Sequence, residues 1–123
     1  MQKSPQNKAC TRYYSDLQEK KVCSLINGTQ EPNSGAGKFL KGDVIQRDAS
    51  LLVECKTATK EKDSFSIKKE WITKNKDEAR SMRLYNSVVA FNFGPESKEN
   101  YFVIDEKLMK FLVDKLIEEE SSF

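Results

Sequence analysis

The sequence contains no histidine, and this absence restricts the available chemistry more than any other feature of its composition. Mechanisms that need an imidazole as metal ligand, general base or proton relay are excluded. These include Ser-His-Asp and Cys-His hydrolases, nucleases built on a histidine-metal finger, and zinc deaminases. Carboxylate, lysine, hydroxyl and thiol groups remain available for catalysis.

Cysteine and long apolar runs are also scarce. The three cysteines, Cys10, Cys23 and Cys55, are odd in number and form no CxxC pair, so no zinc site is indicated and we expect reduced thiols. No stretch of about 18 apolar residues occurs, and the N-terminal sequence MQKSPQNKACTRYY lacks the apolar region of a signal peptide. We therefore expect a soluble, cytoplasmic protein that does not associate with membranes.

The length of 123 residues corresponds to one domain. Apolar residues make up 37% and charged residues 33%, which permits a small core surrounded by charge. We predict a single domain over residues 1–123, with 1–11 and 119–123 as flexible tails. The formal net charge of +2 is too small to indicate a partner unless the charge is clustered.

The apolar periodicity and the turn residues predict an α/β fold, in which a mixed sheet is flanked by helices. Ser15 and Gln18 have the spacing of a capping box, Asn27 and Gly28 stop the first helix, and Asp48 and Ala49 form a tight turn. Residues 29–38 predict a loop. The order is α-β-β-β-α-β-β-α, with a helix at about 12–26, strands at 38–41, 43–47 and 50–59, a helix from 64 or 66 to about 82, strands at 87–93 and 101–104, and a helix from 105 to about 118.

The two later helices each show an apolar face. We expect these faces to point inward, with Ile67, Trp71, Ala79 and Met82 on the second helix and Leu108, Phe111, Leu112 and Leu116 on the third. The acidic end of the third helix, Glu118 to Glu120, opposes the helix dipole and predicts fraying.

The run Leu51 to Lys56 contains the first candidate site. Side chains alternate along a strand, so Glu54 and Lys56 project from one face in a segment where charge is costly. If this strand pairs antiparallel with the strand that Asp43 begins, Asp43 and Glu54 reach the same end of the sheet. Two carboxylates and the backbone carbonyl of Cys55 suit Mg²⁺, with Mn²⁺ as a substitute. Alternatively, Glu54 and Lys56 form a solvated pair on an edge strand.

Glu19 is a further candidate because it shares a helical stripe with Val22, Cys23 and Ile26. A carboxylate in that row needs a partner, which a metal at the end of the sheet would supply. In the alternative interpretation, Glu19 lies at the margin of the stripe and reaches solvent.

These residues resemble the PD-(D/E)xK nuclease superfamily and, within it, the archaeal-type and phage-type Holliday junction resolvases. The similar segments are QEKKVCSLING, EPNSGAGK, GDV, LLVECKT and SFSIKKEW, between Gln18 and Trp71. Gly42 stands where the superfamily name has proline. The resemblance implies a mixed sheet with flanking helices, a homodimer, metal ligands at Glu19, Asp43 and Glu54, a catalytic Lys56, and a substrate-contacting loop residue at Ser34.

Positive charge is clustered between Lys56 and Arg83, where lysines are placed to contact phosphates without reading sequence. We expect DNA contacts from Lys38, Lys60, Lys62, Lys68 and Lys69. The leading hypothesis is a Mg²⁺-dependent, structure-selective DNA endonuclease of recombination or repair, in a phage or its host, that resolves Holliday junctions. The alternatives are a phage, restriction or repair endonuclease that nicks ordinary duplex DNA, and a non-catalytic DNA-binding module of the same fold.

Overall fold

The computed structural model describes residues 4–30 and 43–121. Within these ranges the chain forms a single small α/β domain, and no helix is long and apolar enough to cross a membrane. The elements are α1 (Ser4–Ile26), β1 (Thr29–Gln30), β2 (Asp43–Gln46), β3 (Leu51–Lys56), α2 (Lys69–Ser81), β4 (Asn86–Phe91), β5 (Tyr101–Val103) and α3 (Glu106–Ser121).

The five strands form one mixed sheet in the order β1-β2-β3-β4-β5. A tight turn joins β2 to β3, in which the Ser50 amide donates to the Arg47 carbonyl at 3.0 Å and Gln46 Oε1 accepts from the Asp48 amide at 2.7 Å. Strand β3 pairs parallel with β4, and α2 supplies the crossover that a parallel pair requires. The other strand pairs are antiparallel.

Alternation along the central strands divides the core between the two faces of the sheet. Val44 and Val53 point to one face and pack with Val22 of α1. On the opposite face, Leu52 and Ile45 pack with Ala79 and Leu84, at the end of α2 and just beyond it. The sheet is therefore covered by α1 on one side and by α2 on the other.

The end of α1 confirms the stop signal at Asn27 and Gly28. Asn27 adopts a left-handed conformation with φ 55, and the Gly28 amide donates to the Cys23 carbonyl at 2.9 Å, which is the Schellman pattern. A Cβ on Gly28 would lie 2.7 Å from the Ile45 carbonyl oxygen, so glycine lets α1 end directly against β2.

Several predicted boundaries were wrong. The first helix begins at Ser4 and not near 12, so Ser15 lies inside the helix and does not cap it, and residues 4–11 of the predicted tail have a helical backbone. Residues 29 and 30, predicted as loop, pair with β2 as β1. The flexibility of the tails stays a prediction, and the predicted strand 38–41 lies outside the described residues.

The remaining boundaries differ less. The third predicted strand is shorter than 50–59 and ends at Lys56. Helix α2 begins at Lys69, three to five residues after the predicted caps, and its N-cap residue Lys68 makes no side-chain cap hydrogen bond. The preference of serine for N-cap positions therefore predicted a start of α2 that is too early.

The prediction for the third helix was wrong in a more informative way. Leu108 packs partly against the α1-side core, but Phe111, Leu112 and Leu116 are exposed instead of pointing inward. The acidic end stays helical as far as Ser121. The apolar periodicity of α3 predicts that one face of the helix is buried. In the described chain no other element covers that face beyond Leu108.

Asp105 fixes the start of α3. Its carboxylate accepts from the Leu108 amide at 2.9 Å, as an N-cap residue does, and contacts Lys76 Nζ of α2 at 2.7 Å. The Lys76 hydrogen bond, and secondly the Leu108 amide, hold the pKa of Asp105 below its ordinary value of 3.8. We expect Asp105→Ala to lower the free energy of unfolding in urea by about 1 kcal/mol, whereas Asp114→Ala, which breaks an exposed pair with Lys110, costs only a few tenths.

The cost of Asp105→Ala should depend on pH. Because folding lowers the pKa of Asp105, its stabilisation is present above the unfolded value of 3.8 and is lost as the pH falls through the folded value. The difference between the wild-type chain and Asp105→Ala should therefore shrink as the pH falls below about 4. A difference that is constant from pH 7 to pH 2 would contradict this account.

Candidate active site

The β2–β3 hairpin brings two acidic residues together, as predicted. In its register Asp43 stands directly opposite Glu54, and such residues share one face of the sheet with Cα atoms about 4.5–5.5 Å apart. Asp43 is 3% exposed, and the Glu54 side chain is 12% exposed. Strand β3 has neighbours on both sides, so the alternative of an edge strand with a solvated pair is wrong.

Lys56 completes this group on the same face of β3. Its Nζ lies 3.1 Å from a Glu54 carboxylate oxygen, and it stands 4.6 Å from the ring centroid of Trp71 on α2. Lys68 approaches the same ring at 5.9 Å. Trp71 thus holds the ammonium of Lys56 by a cation–π contact as well as packing against Phe65.

Glu19 approaches the hairpin from α1 and is only 8% exposed, which confirms the buried interpretation over the solvent-reaching one. Its carboxylate accepts from Gln30 Nε2 at 3.1 Å, and Gln30 pairs with Val44, next to Asp43. Burial raises the pKa of Glu19 and the Asp16 charge adds to this, while the Gln30 hydrogen bond acts in the opposite direction. Sequence reasoning missed Gln30, because two residues of β1 give no strand signal.

The Cys55 thiol packs against the α1-side core. Burial raises its pKa, and the charges of Glu19, Asp43 and Glu54 raise it further in that order. The same effect keeps Cys55 protonated at neutral pH, which argues against a nucleophilic thiol.

This donor set fits a hard divalent cation. No group of three or more Asp, Glu, Cys or His side chains is positioned to hold one metal ion among residues 4–30 and 43–121. Magnesium, however, is commonly held by one or two carboxylates with water and substrate phosphate completing the shell. Asp43 and Glu54, which stand opposite each other in the β2–β3 register, supply two such carboxylates, and Lys56 contacts Glu54.

Gln18 is a second residue that sequence reasoning missed. It is 4% exposed, and its Nε2 donates to the carbonyl of Lys56 at 2.8 Å and to Asn100 Oδ1 at 3.0 Å. The side chain ties α1 to the end of β3 where the catalytic lysine is expected. Its position one residue before Glu19, on a helix predicted to be amphipathic, gave no signal of this contact.

The positive residues that follow β3 differ in whether they form ion pairs. Lys60, Lys62, Lys68 and Lys69 are exposed around the connection from β3 to α2, and no ion pair joins them to another residue in the described part of the chain. The lysines and arginine further along α2 are paired instead, in Lys74–Glu70, Lys76–Asp105 and Arg80–Asp77. Ser34 and Lys38 lie outside the described residues.

Comparison with known proteins gave no match. The chain matches no protein-family model, and neither curated proteins nor solved structures show a significant similarity to it. The site must therefore be interpreted from its own residues.

Proposed function

We propose that the protein is a Mg²⁺-dependent, structure-selective DNA endonuclease of the PD-(D/E)xK type, which resolves Holliday junctions as a homodimer in the cytoplasm. The observation that supports it best is the register pair Asp43 and Glu54 with Lys56 on the same face of β3. Two buried carboxylates beside one lysine lower the stability of the fold. Metal binding for phosphodiester hydrolysis would explain why such residues occur here.

Each residue has a role in this proposal. Asp43, Glu54 and the Cys55 carbonyl would hold Mg²⁺, with Glu19 as a direct or water-mediated ligand, and the ion would supply Lewis-acid chemistry. Lys56 would donate a hydrogen bond to the attacking water or to the phosphate, stabilising the charge that builds up there. Glu54 and Trp71 keep its ammonium in place. None of these roles requires a histidine side chain.

The unpaired lysines support a DNA substrate. Lys60, Lys62, Lys68 and Lys69 lie next to the proposed site in sequence, and Lys68 shares the Trp71 ring with Lys56. Contacts from such side chains bind the phosphate backbone of any sequence, as a structure-selective enzyme requires. Symmetric cuts in a four-way junction need two sites related by a two-fold axis, which a homodimer provides.

The test is cleavage of a synthetic four-way junction beside linear duplex of the same sequence, each with Mg²⁺, with Mn²⁺ or with EDTA. With Mg²⁺ we expect paired, symmetric cuts in the junction at about 5 to 10 times the rate of duplex cleavage, or faster. In EDTA we expect no cleavage of either DNA. Equal cleavage of both substrates would reject junction selectivity and favour the duplex-nicking alternative. Binding without metal-dependent cleavage of either DNA would reject the nuclease and favour a non-catalytic module.

A further inference from the structure

The ammonium of Lys56 is held by two partners of different chemistry. Its Nζ lies 3.1 Å from a Glu54 carboxylate oxygen and 4.6 Å from the centroid of the Trp71 ring. The Lys56 side chain is 31% exposed and the Glu54 side chain is 12% exposed, so water screens these contacts only in part. A salt bridge and a cation–π contact therefore act on the same group, and a second cation at this site would affect them differently.

The Trp71 ring is fixed by other aromatic rings. Phe65 lies beside it, with ring centroids 6.2 Å apart, and Phe65 stacks on Phe91 at 5.2 Å. Phe91 belongs to β4 and stands opposite Lys56 in the parallel β3–β4 register. The three rings connect the start of α2 to the strand beside Lys56. Because this packing is apolar, it does not depend on the charge of Glu54.

The salt bridge, in contrast, competes with metal binding. Glu54 is the partner of Lys56 and also one of the two carboxylates that fit Mg²⁺. With a divalent cation on that carboxylate, Glu54 attracts the ammonium less strongly, and the two cations repel each other. The indole ring stays available to Lys56, because Mg²⁺ takes oxygen ligands and not π electrons.

We propose that Trp71 is a positioning residue that keeps Lys56 at the site when Mg²⁺ occupies Glu54. In the metal-free chain the ammonium is shared between Glu54 and Trp71, and in the loaded site the ring holds it. The inference rests on the metal site of the proposed function, but it does not require cleavage. Lys68 Nζ lies 5.9 Å from the same ring, whereas the contact with Glu54 belongs to Lys56. Lys68 therefore provides a matched control.

The first experiment follows Trp71 fluorescence during a titration with Mg²⁺ in the absence of DNA. Trp71 is the one tryptophan in the sequence, so the emission reports on this ring alone. Calorimetry on the same samples measures metal binding independently, and circular dichroism confirms folding. We expect a saturable change in emission, with the midpoint of the calorimetric binding, in the wild-type chain and in Lys68→Met. The change should be lost in Lys56→Met although that variant still binds Mg²⁺.

The outcomes separate the inference from the proposed function. Mg²⁺ binding without a change in wild-type emission, or with an equal change in Lys56→Met, would overturn the inference and leave the metal site standing. No Mg²⁺ binding by the wild-type chain would reject the metal site, and with it both the proposed function and the inference. If Lys56→Met does not fold, Lys56→Gln, which also removes the charge, takes its place.

The second experiment compares single-turnover cleavage at saturating Mg²⁺ with Mg²⁺ affinity in variants of the ring. We expect Trp71→Leu to cut about 5- to 30-fold more slowly, the factor that corresponds to one partly buried cation–π contact. Its Mg²⁺ affinity should change little. Trp71→Phe, which retains an aromatic face, should lose less of the rate than Trp71→Leu.

Phe93→Leu is the control for packing. Phe93 meets Phe91 edge-on at 5.5 Å in the same aromatic group, whereas the ring that Lys56 contacts is Trp71. Phe93→Leu should therefore cut at the wild-type rate where it remains folded. Equal losses of rate in Trp71→Leu, Trp71→Phe and Phe93→Leu would assign Trp71 a packing role alone and overturn the inference. A wild-type chain that binds Mg²⁺ but cuts no DNA would reject the proposed function, and the fluorescence titration would then decide the inference.

Discussion

If the protein is the proposed nuclease, replacing Lys56 with methionine should lower the rate of junction cleavage by about 10²–10³-fold, because the change removes the charged donor that would stabilise the developing phosphate charge. Methionine retains the apolar stem beside Trp71, so the change removes the ammonium and little packing. Lys20→Met, at an exposed position on α1, is the control and should cleave at the wild-type rate. The measurement is single-turnover cleavage at saturating Mg²⁺.

Glu54→Gln should reduce cleavage by a similar factor, and the double variant Glu54→Gln/Lys56→Met should be little worse than the more impaired single variant. Residues that act as one unit give effects that do not add. Each variant needs a urea unfolding curve beside it, since either single change leaves a mostly buried charge without its partner. A Lys56→Met chain that is folded and cuts within threefold of wild type would reject a catalytic lysine here.

Leu52→Ala should lower the free energy of unfolding by about 2–5 kcal/mol, the range for removing a buried leucine side chain. Leu52 is fully buried on the α2 side of the sheet, where it packs with Ile45, Ala79 and Leu84. Leu25→Ala, at a leucine 64% exposed on α1, should change stability by less than about 0.5 kcal/mol.

Urea denaturation measures both values, provided that the slope of the unfolding curve is unchanged. Where Leu52→Ala remains folded, its cleavage rate should stay within a few-fold of wild type, because Leu52 contributes packing and not a reacting group. A loss of stability below about 1 kcal/mol would mean that the α2-side core collapses around the missing side chain, and would contradict the tight packing inferred here.

The centre of the fold followed from local sequence. Alternation in Leu51 to Lys56 and the turn at Asp48 and Ala49 predicted the β2–β3 hairpin, and with it the meeting of Asp43 and Glu54 that the register confirms. The stripe containing Val22 and Cys23 predicted a buried Glu19, also confirmed. These features depend on residues that are close in sequence or share one helix.

What sequence missed depends on contacts between distant segments. Gln18 reaches the Lys56 carbonyl across 38 residues, and β1 exists only because Thr29 and Gln30 pair with β2. Leu112 and Leu116 have the periodicity of a core-facing helix, yet periodicity does not say whether the covering surface belongs to the same chain. The nuclease family, the metal and the DNA substrate stay predictions that the cleavage experiments address.

The hairpin register also has a consequence for the order of folding. Asp43, Glu54 and Lys56 all belong to β2 and β3, which a short turn joins, so their meeting requires little loop closure. The parallel β3–β4 pair must wait for the α2 crossover, and the contact between Glu19 and Gln30 forms only when α1 docks. The carboxylates of Asp43 and Glu54 would then face each other as soon as the hairpin forms. Lys56, on the same hairpin, offsets their repulsion before the rest of the chain has folded.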